Sequence, residues 1–117
     1  MKQLVNLQSL LSHATDKNQQ IASFALLSLG IVESLSGGAI AASRAVELFF
    51  NADNCLFVRK QLQQKTADEI MSHGVQLPDI FDALSAEQAQ QEFQRELAVM
   101  RSLCLKLLED KQLAAWY

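Results

Sequence analysis

The chain has 117 residues, half of them hydrophobic and a fifth charged, with one proline and four glycines. That length holds one domain with one core, and the balance excludes disordered, collagen-like and low-complexity chains. Ten basic against thirteen acidic residues leave a net charge of −3; without a clustered basic surface, nucleic acid is not expected as a partner.

The first residues, MKQLVNLQSLLSHATDK, carry an amphipathic pattern rather than the apolar stretch and small-residue cleavage site of a signal peptide. Leu4, Leu7, Leu10 and Leu11 recur at spacings of three and four and predict a short first helix. Thr15 and Asp16 are candidate caps for a second helix over about 17–36, with Ile21, Phe24, Ala25, Leu27, Ile31, Val32 and Leu35. Its charge-free run Ile21–Val32 ends at Glu33, short of the ~20 residues of a membrane span. No membrane association is expected. Apolar residues wrap nearly all round this helix, which places it at the centre of a bundle. Gly30 inside it costs about 1 kcal/mol relative to alanine, and a close helix crossing is the expected reason.

Gly37-Gly38 ends that helix by allowing positive φ. Ser43 is the expected cap of a third helix through Ala45, Val46, Leu48, Phe49 and Phe50, followed by a turn at Asn51-Ala-Asp-Asn54. Leu56, Phe57, Val58 and Leu62 predict a fourth helix. Two capping boxes follow, Thr66-Ala-Asp-Glu69 and Ser85-Ala-Glu-Gln88. The first predicts a helix of barely two turns stopping at Gly74, and Pro78 then opens another short turn. The second opens the longest helix, about 86–113, with Phe93, Leu97, Met100, Cys104 and Leu107 in one core-facing stripe. Strand signals are nearly absent, and no Asn-Gly or Asp-Gly hairpin turn occurs. The expected fold is a single all-α domain over 1–117, a compact bundle of five or six helices.

The order Leu27-Ser-Leu-Gly-Ile-Val-Glu-Ser-Leu35, a glycine turn, a short capped helix and Glu47-Leu-Phe-Phe-Asn51 is followed by a His-Gly turn, Leu77-Pro-Asp-Ile80 and a leucine-rich terminal helix. Over about 21–108 this resembles a family of small bacterial all-helical proteins of uncharacterised function. The resemblance implies a small, standalone helical protein of bacterial origin and transfers no catalytic residue.

Local chemistry is sparse. Leu27-Ser28-Leu29-Gly30 holds half of a nucleophile elbow, but position 26 is leucine where glycine is needed. Ser28 reads as a buried helical serine bonding its own backbone. His13 and His73 lack a metal-ligand spacing, and His73 before Gly74 reads as a cation-ready side chain at a helix end. Cys104 reads as a core hydrophobe. For Cys55, Arg59 is the only local group that could activate a thiolate. Two cysteines make no disulfide framework, so reduced thiols and a cytoplasmic setting are expected. Asn51-Ala-Asp53-Asn54 starts like a calcium loop, but it has leucine at the sixth and twelfth positions. No cofactor, metal or catalytic residue is expected, and the chain reads as non-enzymatic.

The charge is unevenly spread. Residues 1–64 sum to +1 and 85–117 to −1, while 65–84 set Lys65 against Asp68, Glu69, Asp79 and Asp82 for −3. First-turn placement accounts for Asp68, Glu69 and Asp79 on the predicted elements; an acidic face for a basic protein partner is the sharper reading. Trp116 and Tyr117 end the chain, dock-or-interface residues by type. The leading expectation is a small protein that caps or masks a protein partner, in the manner of an immunity or antitoxin-like inhibitor, through Asp68, Glu69, Asp79 and Asp82. The second is a structural homo-oligomer, a homodimer for instance, with Trp116 and Tyr117 at the contact.

Overall fold

The structure, a computed structural model, describes residues 4–14 and 16–110. They form six α-helices with no strand among them, as the periodicities require. Helix α1 spans Leu7–Leu11, α2 Lys17–Ser36, α3 Ala42–Leu48, α4 Ala52–Phe57, α5 Lys65–Ala83 and α6 Ala86–Asp110. A π-helical turn, Val58–Leu62, continues α4 and ends at Gln63, whose φ of 50° reverses the chain before α5.

The central helix is α2. Asp16 caps it by accepting from the Asn18 N–H at 3.1 Å, while Thr15 lies outside the described residues. Ile21, Phe24, Ala25, Ser28, Val32 and Leu35 are buried, and α2 touches α1, α3, α5, α6 and the π-helical turn. Its far side is open: Leu26 and Gly30 are exposed, and a Cβ at Gly30 would meet nothing within 4 Å. The expected close crossing at Gly30 is therefore absent. Gly38, at φ 80°, makes the turn after α2.

Helix α6 packs antiparallel to α2, since Arg101 pairs with Glu33 and Gln94 with Ser36. Its predicted stripe of Phe93, Leu97, Met100, Cys104 and Leu107 is wholly buried, joined by Ala89. Residues 111–113 lie outside the described residues. Of the Ser85 box the serine half forms, the Gln88 N–H donating to Ser85 Oγ, while the Gln88 Oε1 accepts from the Ser85 hydroxyl rather than from its backbone N–H.

Four local readings give way to the fold. Ala41, without a side-chain bond, stands at the cap of α3 in place of Ser43. Gln64 caps α5 by accepting from the Thr66 N–H at 2.7 Å, so the Thr66 box does not form. Gly74 does not stop its helix; α5 runs unbroken through Gly74 and Pro78 to Ala83. The reason is tertiary. Phe24 stacks on Phe49, Phe49 meets Phe50 edge-on at 5.1 Å, and the Phe50 ring lies flat into the space a Cβ at Gly74 would fill. Glycine here is the socket for an aromatic ring, and the packing outweighs its poor helix propensity.

The fourth concerns Asn54, which does more than close a turn. It is 3% exposed and ties the entering chain to the bundle. Its Oδ1 accepts from the Leu7 N–H at 3.1 Å, and its Nδ2 donates to the carbonyls of Val5 at 2.8 Å and Phe49 at 2.9 Å. The Val5 N–H adds a bond to the Leu48 carbonyl. A buried amide satisfied this fully fixes one arrangement of residues 5–7 over α3 and α4.

Candidate protein-binding surface

Catalytic geometry does not assemble from the residues singled out above. Ser28 is buried as expected, but its Oγ finds no hydrogen-bond partner, so the expected bond to its own backbone is not made. His73 lies mid-helix, not at a helix end, and its Nδ1 pairs with Glu96 Oε1 across the α5–α6 contact. His13 lies just beyond α1 and is exposed. Burial pushes the Cys104 thiol up to about 12, which holds it protonated and unreactive at neutral pH. Cys55 is half-buried, and burial raises its pKa more than Arg59 lowers it, with Asp68 adding to the rise. Both cysteines are free. Among the described residues no three His, Cys, Asp or Glu side chains come together as a metal-ligand set, and no helix is long and apolar enough to cross a membrane.

The four acidic residues all lie on α5, but not as one cluster. Asp68 is half-buried in a recess with Arg59 and Cys55, and Glu69 shares a shallow depression with Lys65 and His73. Asp79 and Asp82 are exposed at the other end of the helix. Eleven residues separate Asp68 from Asp79, about 16 Å along the axis. Only Asp68 sits in the first turn. Asp82 stands in the last turn, where the helix dipole disfavours negative charge, and Asp79 one turn before it. The helix-start explanation of Asp79 thus falls with the short helix it assumed. Trp116 and Tyr117 lie outside the described residues.

Asp82 also forms part of a groove of about 710 Å³. One wall is the chain leaving α2, from Gly37 through Ile40 to Ser43; the other is the end of α5, with Pro78 and Phe81. Phe93 and Gln94 of α6 lie between them. The floor is fixed by Ser36 and Gln94, whose side chains bond at 3.1 Å, with the Gln94 amide also donating to the Ser36 carbonyl. Phe81 leans edge-on against Phe93 at 5.1 Å yet stays 39% exposed, and Leu84 just past α5 is 40% exposed. Among the described residues no lysine or arginine lines the groove. A second recess of about 690 Å³ lies over residues 4–8 and α4, but there Asp53 and Glu47 are mixed with Lys60, so no charge sign stands out.

Of the expected partner residues, then, Asp82 alone lines the groove, with Asp79 one turn back on α5, and Asp68 and Glu69 fall apart from it. Phe81, Ile40 and Pro78 were not legible as a surface, because Phe81 sits in sequence like any core aromatic. Comparison with protein-family models, with curated proteins and with solved structures finds no match. The functional reading therefore rests on this geometry.

Proposed function

We propose that this chain is a small protein-binding module that caps or masks a protein partner, an immunity- or antitoxin-like inhibitor being its concrete form. The bacterial cytoplasm is the setting this reading takes. The supporting observation is the position of Asp79 and Asp82: exposed on one side of the end of α5, with Asp82 in the last turn, where its charge works against the helix, and in the groove lined by exposed Phe81. Paired acids in that position contribute nothing to the core. They suit a basic partner, for which complementary charge raises association rate and selectivity.

The test is capture of the tagged chain's partner from its native cell lysate at low and moderate salt, beside a variant carrying Asp79→Lys and Asp82→Lys. The expected result is one stoichiometric partner, lost as salt rises and lost with the variant, whose thermal melt stays cooperative and no lower than the parent's. Equal capture by the variant overturns the assignment of this surface. Recovery of the chain alone, with mass in solution above a monomer, replaces it with the homo-oligomer reading.

A further inference from the structure

We infer that the groove between the chain leaving α2 and the end of α5 takes a basic amphipathic α-helix of a partner protein, its apolar side chains on Phe81 and its lysines or arginines beside Asp82 and Asp79. This rests on the protein-binding reading above and names the partner's chemistry. Three observations choose the occupant. The lining sets apolar Ile40, Pro78 and Phe81 among Ser43, Gln90 and Gln94, and Phe81 is the large apolar side chain left substantially open there. That calls for apolar anchors. Among the described residues the charged group lining the groove is Asp82, with Asp79 one turn back on the same exposed side of α5 and no lysine or arginine in the lining. A cationic flank is complementary and an anionic one is repelled.

The third observation concerns backbone. The described residues hold no strand, so there is no sheet edge to which an extended segment could add. A helix satisfies its own backbone and presents side chains at i, i+3, i+4 and i+7, so that apolar ones can reach Phe81 and Ile40 while polar ones meet Asp82, Gln90 and Gln94.

Two synthetic helical peptides of about 18 residues, roughly five turns, test this by fluorescence anisotropy with the full chain. They share one face of leucines and a phenylalanine; the flanks are lysine in one and glutamate in the other. The lysine peptide should bind about tenfold tighter or more, weakening as salt rises. Phe81→Ala should weaken it about tenfold, and Asp82→Lys, on the exposed rim and away from the core, about threefold to tenfold. Amide shifts on binding should centre on Ile40, Phe81 and Gln90. Equal binding of the two peptides, no binding of the lysine peptide, or binding untouched by both variants overturns the inference. A dimer of the chain that dissociates with Phe81→Ala puts a second copy in the groove instead. A lysate partner kept by Phe81→Ala but lost with Asp79→Lys leaves the protein-binding reading standing and removes the groove alone.

Discussion

Helix α5 is two different objects joined at Pro78. From Lys65 to Leu77 it buries Ala67, Ile70, Met71, Gly74 and Leu77 against the bundle. From Pro78 to Ala83 it buries none, and Asp79, Phe81, Asp82 and Ala83 all stand exposed. Both halves hold the same backbone geometry and both contain large apolar side chains. What differs is what lies opposite: the Phe50 ring and the face of α6 for the first half, an open groove for the second. Apolar residues alone do not make a core. The first half carries stability and the second is displayed, and substitutions in the two halves should separate these roles.

The largest effect is expected at Gly74. A methyl group there meets the Phe50 ring, itself 1% exposed and held by Phe49. Overpacking a filled core costs about 1–3 kcal/mol, and the contact with the ring puts this site at the upper end. Alanine's better helix propensity offsets about 1 kcal/mol. Gly74→Ala should therefore lower unfolding free energy by about 2 kcal/mol in urea titration, and Gly74→Val by more. Gly30→Ala is the matched control, since its Cβ meets nothing; it should gain about 0.5–1 kcal/mol. Equal effects at the two glycines would break the division of α5.

Pro78 is the next largest. Its ring cannot donate a bond to the Gly74 carbonyl four residues back, and an interior proline costs about 3 kcal/mol in a helix. Replacing it also loosens the unfolded chain, which returns up to about 1 kcal/mol. Pro78→Ala should raise stability by about 2 kcal/mol, read as a higher urea midpoint at unchanged slope. A fall in stability would mean that Pro78 packs as part of the core and that the boundary between the halves is misplaced.

The same glycine and proline explain what was and was not legible in the sequence. The stripe of α6 read correctly because Phe93, Leu97, Met100, Cys104 and Leu107 sit three and four apart on one element, and all five are buried. The all-α bundle, the central second helix and the Ser85 cap were legible for the same reason: each is a short-range pattern. Gly74 and Pro78 read as breakers because breaking is their local tendency; the ring that overrides it comes from Phe50, twenty-four positions earlier. Gly30 and Gly74 look alike in sequence, and only the partner side chain tells socket from bare surface. Asn54 was hidden likewise, since Val5 and Leu7 reach it across almost fifty residues. Of the surface, the net acidity of residues 65–84 was legible, but its division into two sites depended on one long helix replacing two short ones.

The smallest expected effect bears most directly on function. Asp82 lies in the last turn of α5, where a negative charge costs about 0.3–1 kcal/mol at low salt, and Asp79 lies one turn earlier, where the cost is smaller. Asp79→Asn and Asp82→Asn keep the shape and remove the charge, so Asp82→Asn should stabilise the chain by about 0.5 kcal/mol and Asp79→Asn by less, with the gain shrinking as salt screens it. The same changes should weaken capture of a basic partner, and opposite signs in the two measurements are the signature of side chains kept for binding rather than for folding. Asp68→Asn is the counterpart within the same helix. In the first turn the dipole favours its charge, so this variant should lose stability by a similar amount and leave capture unchanged. If Asp79→Asn and Asp82→Asn destabilise like Asp68→Asn, those carboxylates are part of the fold, and the exposed half of α5 is no more a display surface than the buried one.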